Sequence, residues 1–393
     1  MTTKNTCRNI EKLLKKHNQS HLLAFWEELS MAQRQDLLAQ IEELDFPKID
    51  DWVAHLVKES APVAIPSDFT PAPSYNPVPA DLQQERRYTQ AKELGKELIS
   101  AGKVAAFVVA GGQGTRLGFD GPKGDFPISP LKNKTLFQIF AETIAAVSRK
   151  YQTACHWYIM TSPLNHAETK EIFRRNDYYS LDEKNVFIFQ QGTLPNFAFD
   201  GKILLADKAN IACSPDGHGG SLKALYKSGA LEDMKKRGVE FISYFQVDNP
   251  LINIFDPLFI GLHALDHAEM SSKAVIKTGP KERVGNFCLV NDRVTVIEYS
   301  DLPDNLAEKQ NSDGSLVFAL GSIAIHIINT SFVEKLNAQG FSLPLHRAIK
   351  KIPHIDQHGN LLEPTEPNGI KLESFIFDAL PLASKSIILQ TLR

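Results

Sequence analysis

Residues 104–128 read VAAFVVAGGQGTRLGFDGPKGDFPI. The first seven are apolar, far too few to cross a bilayer and of the length of a buried strand. Glycines then occupy positions 111, 112, 114 and 118, so the backbone approaches something closely just beyond that strand. Glycine permits positive φ and removes side chains, which lets consecutive N–H groups converge on a phosphate, and Arg116 and Lys123 add positive charge to the same loop. A turn that merely reverses the chain accounts for the glycines but not for the two cations. From Gly112 the spacing is G-x-G-x-x-x-G, one residue longer than the dinucleotide fingerprint. Lys123 stands between Pro122 and Gly124, whereas a Walker loop places its lysine after glycine and before Ser or Thr. The residues point to phosphate binding, with no support for a dehydrogenase or a Walker-type ATPase.

Working outward from this loop, short β-rich runs alternate with helical ones: 104–109, 135–151, 156–161, 166–176 and 186–190. That alternation predicts an α/β fold with a mostly parallel sheet covered by helices on both faces, whose ligands bind beyond the carboxyl ends of the strands. On the N-terminal side, apolar residues from Ile10 to Leu44 recur at roughly helical spacing. Pro62, Pro66, Pro71, Pro73, Pro77 and Pro79 then interrupt any helix and predict an extended connector over 62–79, followed by a helix over 80–101. The expected organisation is a helical region over 1–101 and a catalytic domain over 102–393. The apolar stripes of the helical region predict packing against a core rather than a free partner-binding module. With 393 residues, a formal net charge of -3 and 43% hydrophobic residues, the chain reads as an ordinary globular protein without the charge excess that attracts nucleic acid or anionic membranes. Cys7, Cys155, Cys213 and Cys288 form no CxxC and predict scattered core thiols in a reducing compartment. The polar stretch 1–9 lacks a signal-peptide apolar run, so the expected location is cytoplasmic. Oligomeric state has no signal in the sequence.

The 108–128 segment resembles the signature of the UDP-sugar pyrophosphorylases, and is most similar to the UDP-N-acetylhexosamine pyrophosphorylases with their L-A-G-G-Q-G-T-R-L-G and downstream P-K-G. Further segments match in the family's order: WYIMTS from Trp157, FQQGTLP from Phe189, SPDGHGG from Ser214, QVDNPL from Gln246, EYSDL from Glu298 and PNGIKLESFIFD from Pro367. The resemblance implies a Rossmann-like nucleotide-diphosphosugar transferase core of GT-A type. It implies an enzyme that joins UTP and a sugar 1-phosphate into a UDP-sugar and pyrophosphate, by direct in-line displacement with Mg2+. It places Gly111, Gly112, Gly114 and Thr115 around the nucleotide, Arg116 and Lys123 on its phosphates, and Lys371 near them. Gln191 and Gly217 match positions that read uracil, a task that suits an amide offering both donor and acceptor; taken alone, Gln191 reads as an exposed loop residue. Asp248 matches the family's metal aspartate, and a hard carboxylate bridged to substrate phosphates suits magnesium. On turn chemistry alone, Asp248 also reads as a cap before Pro250.

Two positions depart from the N-acetylhexosamine pattern. His218 replaces the asparagine of P-D-G-N-G-G, and Ser322 replaces that of G-N-I. A histidine there is bulkier and serine shorter, which leaves GlcNAc, glucose and galactose open as the sugar. His218 reads equally as a packed loop residue. Asn249, Gly285 and Glu298 match other sugar-site positions. The family continues past the equivalent of LQTLR into a small β-rich C-terminal domain, which is expected to be absent from a sequence ending at Arg393. That departure and the changed sugar positions raise the alternative of a catalytically weakened UTP or UDP-sugar binding protein.

Overall fold

The strand Val104–Val109 lies inside a mixed ten-stranded sheet in the computed structural model, which describes residues 3–59, 66, 68–338, 340, 341 and 343–393. Five of its six residues are buried, because both faces of a parallel sheet are covered by helices and loops and only apolar side chains are stable there. Trp157–Thr161 pairs parallel on one side of it, and Val186–Gln190 parallel beyond that. Phe241–Gln246 pairs parallel on its other side, with Val109 opposite Gln246. The chain therefore runs outward from the Val104 strand in one direction and then returns to add its fourth strand on the opposite side. This reversal creates a switch point, and the crevice at the carboxyl ends of the Val104 and Phe241 strands is where such sheets bind ligands. The sheet continues antiparallel through Leu320–Asn329, which pairs with both Phe241–Gln246 and Met270–Ile276.

Helix boundaries follow local chemistry. Thr135 caps Leu136–Tyr151 by accepting from the Gln138 N–H at 3.2 Å, and Asp81 caps Leu82–Ser100 by accepting from Gln84 N–H at 2.8 Å. Each such cap stabilises its helix by about 1 kcal/mol. Leu82–Ser100 packs unusually close to Pro257–Leu265: a Cβ on Gly95 would lie 1.9 Å from the Pro257 carbonyl oxygen, and one on Gly261 would lie 1.7 Å from that of Ala91. Of the 62–79 connector, residues 62–65 and 67, including Pro62, lie outside the described residues. The remainder is extended as expected but also joins the sheet. Thr70–Pro71 pairs antiparallel with Asn286–Val290, and Tyr75 exchanges backbone hydrogen bonds with Ile388 and Gln390. Pro71 is tolerated because proline, which cannot donate to a ladder, fits a sheet edge.

The chain divides into two compact units. One comprises residues 65–192, 218–343 and 375–393 and contains the ten-stranded sheet. The other comprises 1–64, 193–217 and 344–374. In this second unit the helices Thr3–Lys16, Met31–Glu42 and Phe46–Trp52 carry Ile10, Leu14, Leu37, Leu38, Ile41 and Ile49 into a core completed by Phe197, Ile203, Ile370 and Leu372. The stretch between the first two helices is not one continuous helix: Ser20–Leu23 and Trp26–Glu28 are single 3-10 turns, and Leu13 is exposed. Cys155 and Cys288 are buried free thiols, while Cys213 is exposed rather than in a core, and the Cys7 side chain lies outside what is described. Among the described residues no helix is long and apolar enough to cross a membrane.

Candidate active site

Beyond Val109 the chain folds back on itself instead of entering a helix. Gly114 N–H donates to the Gly121 carbonyl at 2.9 Å and Lys123 N–H to the Gly112 carbonyl at 3.0 Å, so 112–114 and 121–123 form a narrow hairpin-like loop. Thr115 and Arg116 occupy its tip in a single 3-10 turn and are exposed. No hydrogen bond or ion pair among the described residues holds the Arg116 guanidinium. Lys123 returns to the base of the loop, where its Nζ donates to Asp248 Oδ2 at 3.1 Å. Asp248 is there because Val109 and Gln246 are register partners and both chains leave the sheet side by side. Asn249 turns the chain just after it, its N–H donating to the Gln246 carbonyl at 3.2 Å.

Gln191 leaves the next-but-one parallel strand on the same carboxyl edge. It is buried, not an exposed loop residue, and its Oε1 lies where a Cβ on Gly111 would come within 2.5 Å. Glycine at 111 therefore leaves room for this amide to approach the backbone closely. The nucleotide candidates Gly111, Gly112, Gly114, Thr115 and Gln191 thus gather with Arg116, Lys123 and Asp248 around one sheet edge. Asn165 also belongs here and was missed in reading the sequence. Fully buried, its Nδ2 donates to the Ala110 carbonyl at 3.0 Å and the Gly112 carbonyl at 3.3 Å, while its Oδ1 accepts from the Ser162 N–H at 2.9 Å. The available signal was an asparagine three residues past the Ser that follows a strand, the spacing of a side chain that replaces backbone in a turn.

A second group gathers Gly285, Glu298 and Ser322. Ser322 N–H donates to the Gly285 carbonyl at 2.8 Å, and a Cβ on Gly285 would lie 3.5 Å from Glu298 Oε1. His218 has its ring stacked on Phe375 at 5.3 Å and edge-on to Phe377, and its Nδ1 accepts from the Ile376 N–H at 3.1 Å. An accepting Nδ1 places the proton of the neutral ring on Nε2, so His218 is a packed residue with a defined tautomer.

Gly217 and Lys371 belong to the smaller unit and lie close together in it. Gly217 has φ +84°, and a Cβ there would lie 2.3 Å from the Ser374 carbonyl oxygen, so both conformation and space call for glycine. Ser374 N–H in turn donates to the Asp216 carbonyl at 2.9 Å. Lys371 lies on the strand Gly369–Glu373, with its Nζ 3.5 Å from Glu373 Oε2.

Among the described residues no three His, Cys, Asp or Glu side chains gather as metal ligands. The donor chemistry at Asp248 nevertheless fits a magnesium ion. It is a half-exposed carboxylate with one oxygen facing Lys123 and the other without a protein partner among the described residues, and magnesium commonly takes one or two carboxylates and completes its shell with waters and substrate phosphates.

A profile of the family described as UTP–glucose-1-phosphate uridylyltransferase matches residues 72–391. The chain is 38% identical over 403 residues to the UDP-N-acetylhexosamine pyrophosphorylase-like protein 1 of Homo sapiens, covering 98% of this chain and 78% of that protein. It is 36% identical over 375 residues to the UDP-N-acetylglucosamine pyrophosphorylase of Saccharomyces cerevisiae, covering 92% and 78%. Its fold is similar to the crystal structure of the uridine diphosphate N-acetylglucosamine pyrophosphorylase from Trypanosoma brucei in complex with an inhibitor, with a TM-score of 0.82 at 28% identity, covering 99% of this chain and 79% of that one.

Proposed function

Because the chain belongs to the UTP–glucose-1-phosphate uridylyltransferase family, and so transfers uridylyl from UTP to a sugar 1-phosphate, we propose that its sugar is N-acetylglucosamine 1-phosphate. The observation that carries the reaction is the joining of the glycine loop, Arg116, Lys123 and Asp248 at one switch point of the sheet. The printed names of the relatives support the choice of sugar.

The nucleophile, a phosphate oxygen, is already ionised at neutral pH, so no general base is required. What the protein supplies is alignment of two polyanions and neutralisation of their charge. Lys123 uses one of its three ammonium donors on Asp248 and has others for the α-phosphate of UTP, where charge develops as the sugar phosphate attacks in line. Arg116, exposed at the loop tip, presents a planar fork of donors to the departing pyrophosphate. Gln191, packed against Gly111, has the donor and acceptor needed for the imide edge of uracil. Gly217 and Lys371 of the smaller unit match, by resemblance to the family, a uracil-reading and a phosphate-proximal position. Gly285, Glu298, Ser322, Asn249 and His218 take the sugar. Asp248 would hold Mg2+, which supplies Lewis-acid neutralisation of phosphate charge when bound.

The test is pyrophosphate release from UTP and Mg2+ with N-acetylglucosamine, glucose and galactose 1-phosphates in parallel. Fastest release with the N-acetylated sugar supports the proposal; release only with glucose or galactose 1-phosphate would make His218 and Ser322 determinants of a different sugar. Mg2+-independent UTP binding without release would instead favour a binding protein.

A further inference from the structure

Lys277 is a buried ammonium without a carboxylate. It is 6% exposed, stands just past the end of Met270–Ile276, and forms no ion pair among the described residues. Its hydrogen bond runs from Nζ to Asn286 Oδ1 at 2.6 Å. Burial pushes its pKa down from the ordinary lysine value, so the position carries a cost that an apolar residue would avoid. What that cost maintains is visible in the next bond: Asn286 Nδ2 donates to the Ile297 carbonyl at 3.2 Å. Asn286 is also the register partner of both Ile297 and Gly321. Its immediate neighbour is Gly285, that of Ile297 is Glu298, and that of Gly321 is Ser322. One lysine–asparagine link therefore sits behind all three residues of the second group, which lie on or next to three different strands.

We propose that Lys277, acting through Asn286, is the positioning residue that holds Gly285, Glu298 and Ser322 in register for sugar recognition. The inference rests on the sugar site being where the proposed function puts it. Lys277 itself need not touch substrate. Its ammonium orients the Asn286 amide so that oxygen faces the lysine and nitrogen faces Ile297, and the flipped orientation would oppose donor to donor at the lysine and acceptor to acceptor at the Ile297 carbonyl.

The experiment compares wild type with Lys277→Met, Asn286→Leu and the double variant. The readouts are steady-state kinetics and calorimetric titration with UTP and with UDP-N-acetylglucosamine, with thermal melting as a fold control. The expected result is a roughly tenfold rise in KM for the sugar 1-phosphate with kcat and the KM for UTP little changed, and the double variant no worse than either single one. Lys277→Arg, which keeps a donor to Asn286, should restore part of the loss. An unchanged sugar KM, equal losses for UTP and sugar, or additive effects in the double variant would each overturn the proposal. If the wild type releases no pyrophosphate, the reaction assignment fails on its own, and the inference is then decided by titration. A roughly tenfold weaker affinity for the UDP-sugar with UTP binding retained supports it, and equal affinities contradict it. Should Lys277→Met fail to fold, Lys277→Gln and Asn286→Leu decide by the same readouts.

Discussion

Lys123 is tied to its site at both ends, through its backbone to Gly112 and through its ammonium to Asp248. Removing the side chain deletes charge from the proposed phosphate site without opening a core. Lys123→Ala should therefore lower kcat by about 100- to 1000-fold, the scale of losing one transition-state donor. It should leave the melting temperature nearly unchanged, because an ion pair this exposed contributes about 1 kcal/mol or less. A pyrophosphate-release assay with a parallel thermal melt checks both halves, and near-normal turnover would remove Lys123 from the mechanism. Asn165 predicts the opposite separation. Asn165→Ala strands the buried Ala110 carbonyl and the Ser162 N–H, while the Gly112 carbonyl keeps its bond from Lys123 N–H, so urea unfolding should show a loss of about 2 kcal/mol or more, with the glycine loop as the region that loosens. The residues with charge were legible in the sequence because cations in a glycine loop have few other uses. Asn165 was not, since an asparagine after a strand looks the same whether it faces water or holds two carbonyls.

The regular elements around the glycine loop were readable from local pattern. Val104–Val109 and Val186–Gln190 fall on the expected limits, and Leu136–Tyr151 begins one residue after its capping Thr135. Periodicity and caps act over a few residues, and that is the range a sequence window sees. The close crossing of Leu82–Ser100 and Pro257–Leu265 lies outside that range, because Gly95 and Gly261 matter only through each other's helix. A glycine inside a helix pattern ordinarily signals weakness; here it signals contact. Gly261→Ala should cost about 3 kcal/mol in urea unfolding, since the new Cβ must displace backbone rather than a flexible side chain. An exposed-helix alanine gain of about 1 kcal/mol instead would show that the helices can separate freely. The proline-rich connector is the other element changed by partners out of range: its extended backbone was legible, its pairing with Asn286–Val290 and Gln390 was not.

Two histidines, His263 and His326, are fully buried in neutral form. His263 donates from Nε2 to Asn329 Oδ1 and accepts at Nδ1 from Ser271, and burial lowers its pKa to about 4. His326 is lowered by burial to about 3, and burial also lowers His21, His156 and His166. A depressed histidine pKa means that the unfolded chain takes up protons first as pH falls through its value of about 6.5, so stability declines from there toward the folded values. Depressed carboxylates such as Asp266 and Glu282 lose their contribution only below about pH 4.5. Urea unfolding should therefore show a steady loss between pH 7 and 5, about 2 kcal/mol at pH 5 for each fully buried histidine, whereas a flat profile would contradict neutral burial. The division into two units was the least legible feature of the whole, because residues 193–217 and 344–374 join the N-terminal helices through contacts that no local pattern announces. Uridylyl transfer is measured most directly as pyrophosphate release by this chain from UTP, Mg2+ and N-acetylglucosamine 1-phosphate. Sustained, sugar-dependent release that disappears in Lys123→Ala is the predicted result, and absence of release with every sugar 1-phosphate despite measurable UTP binding would contradict it.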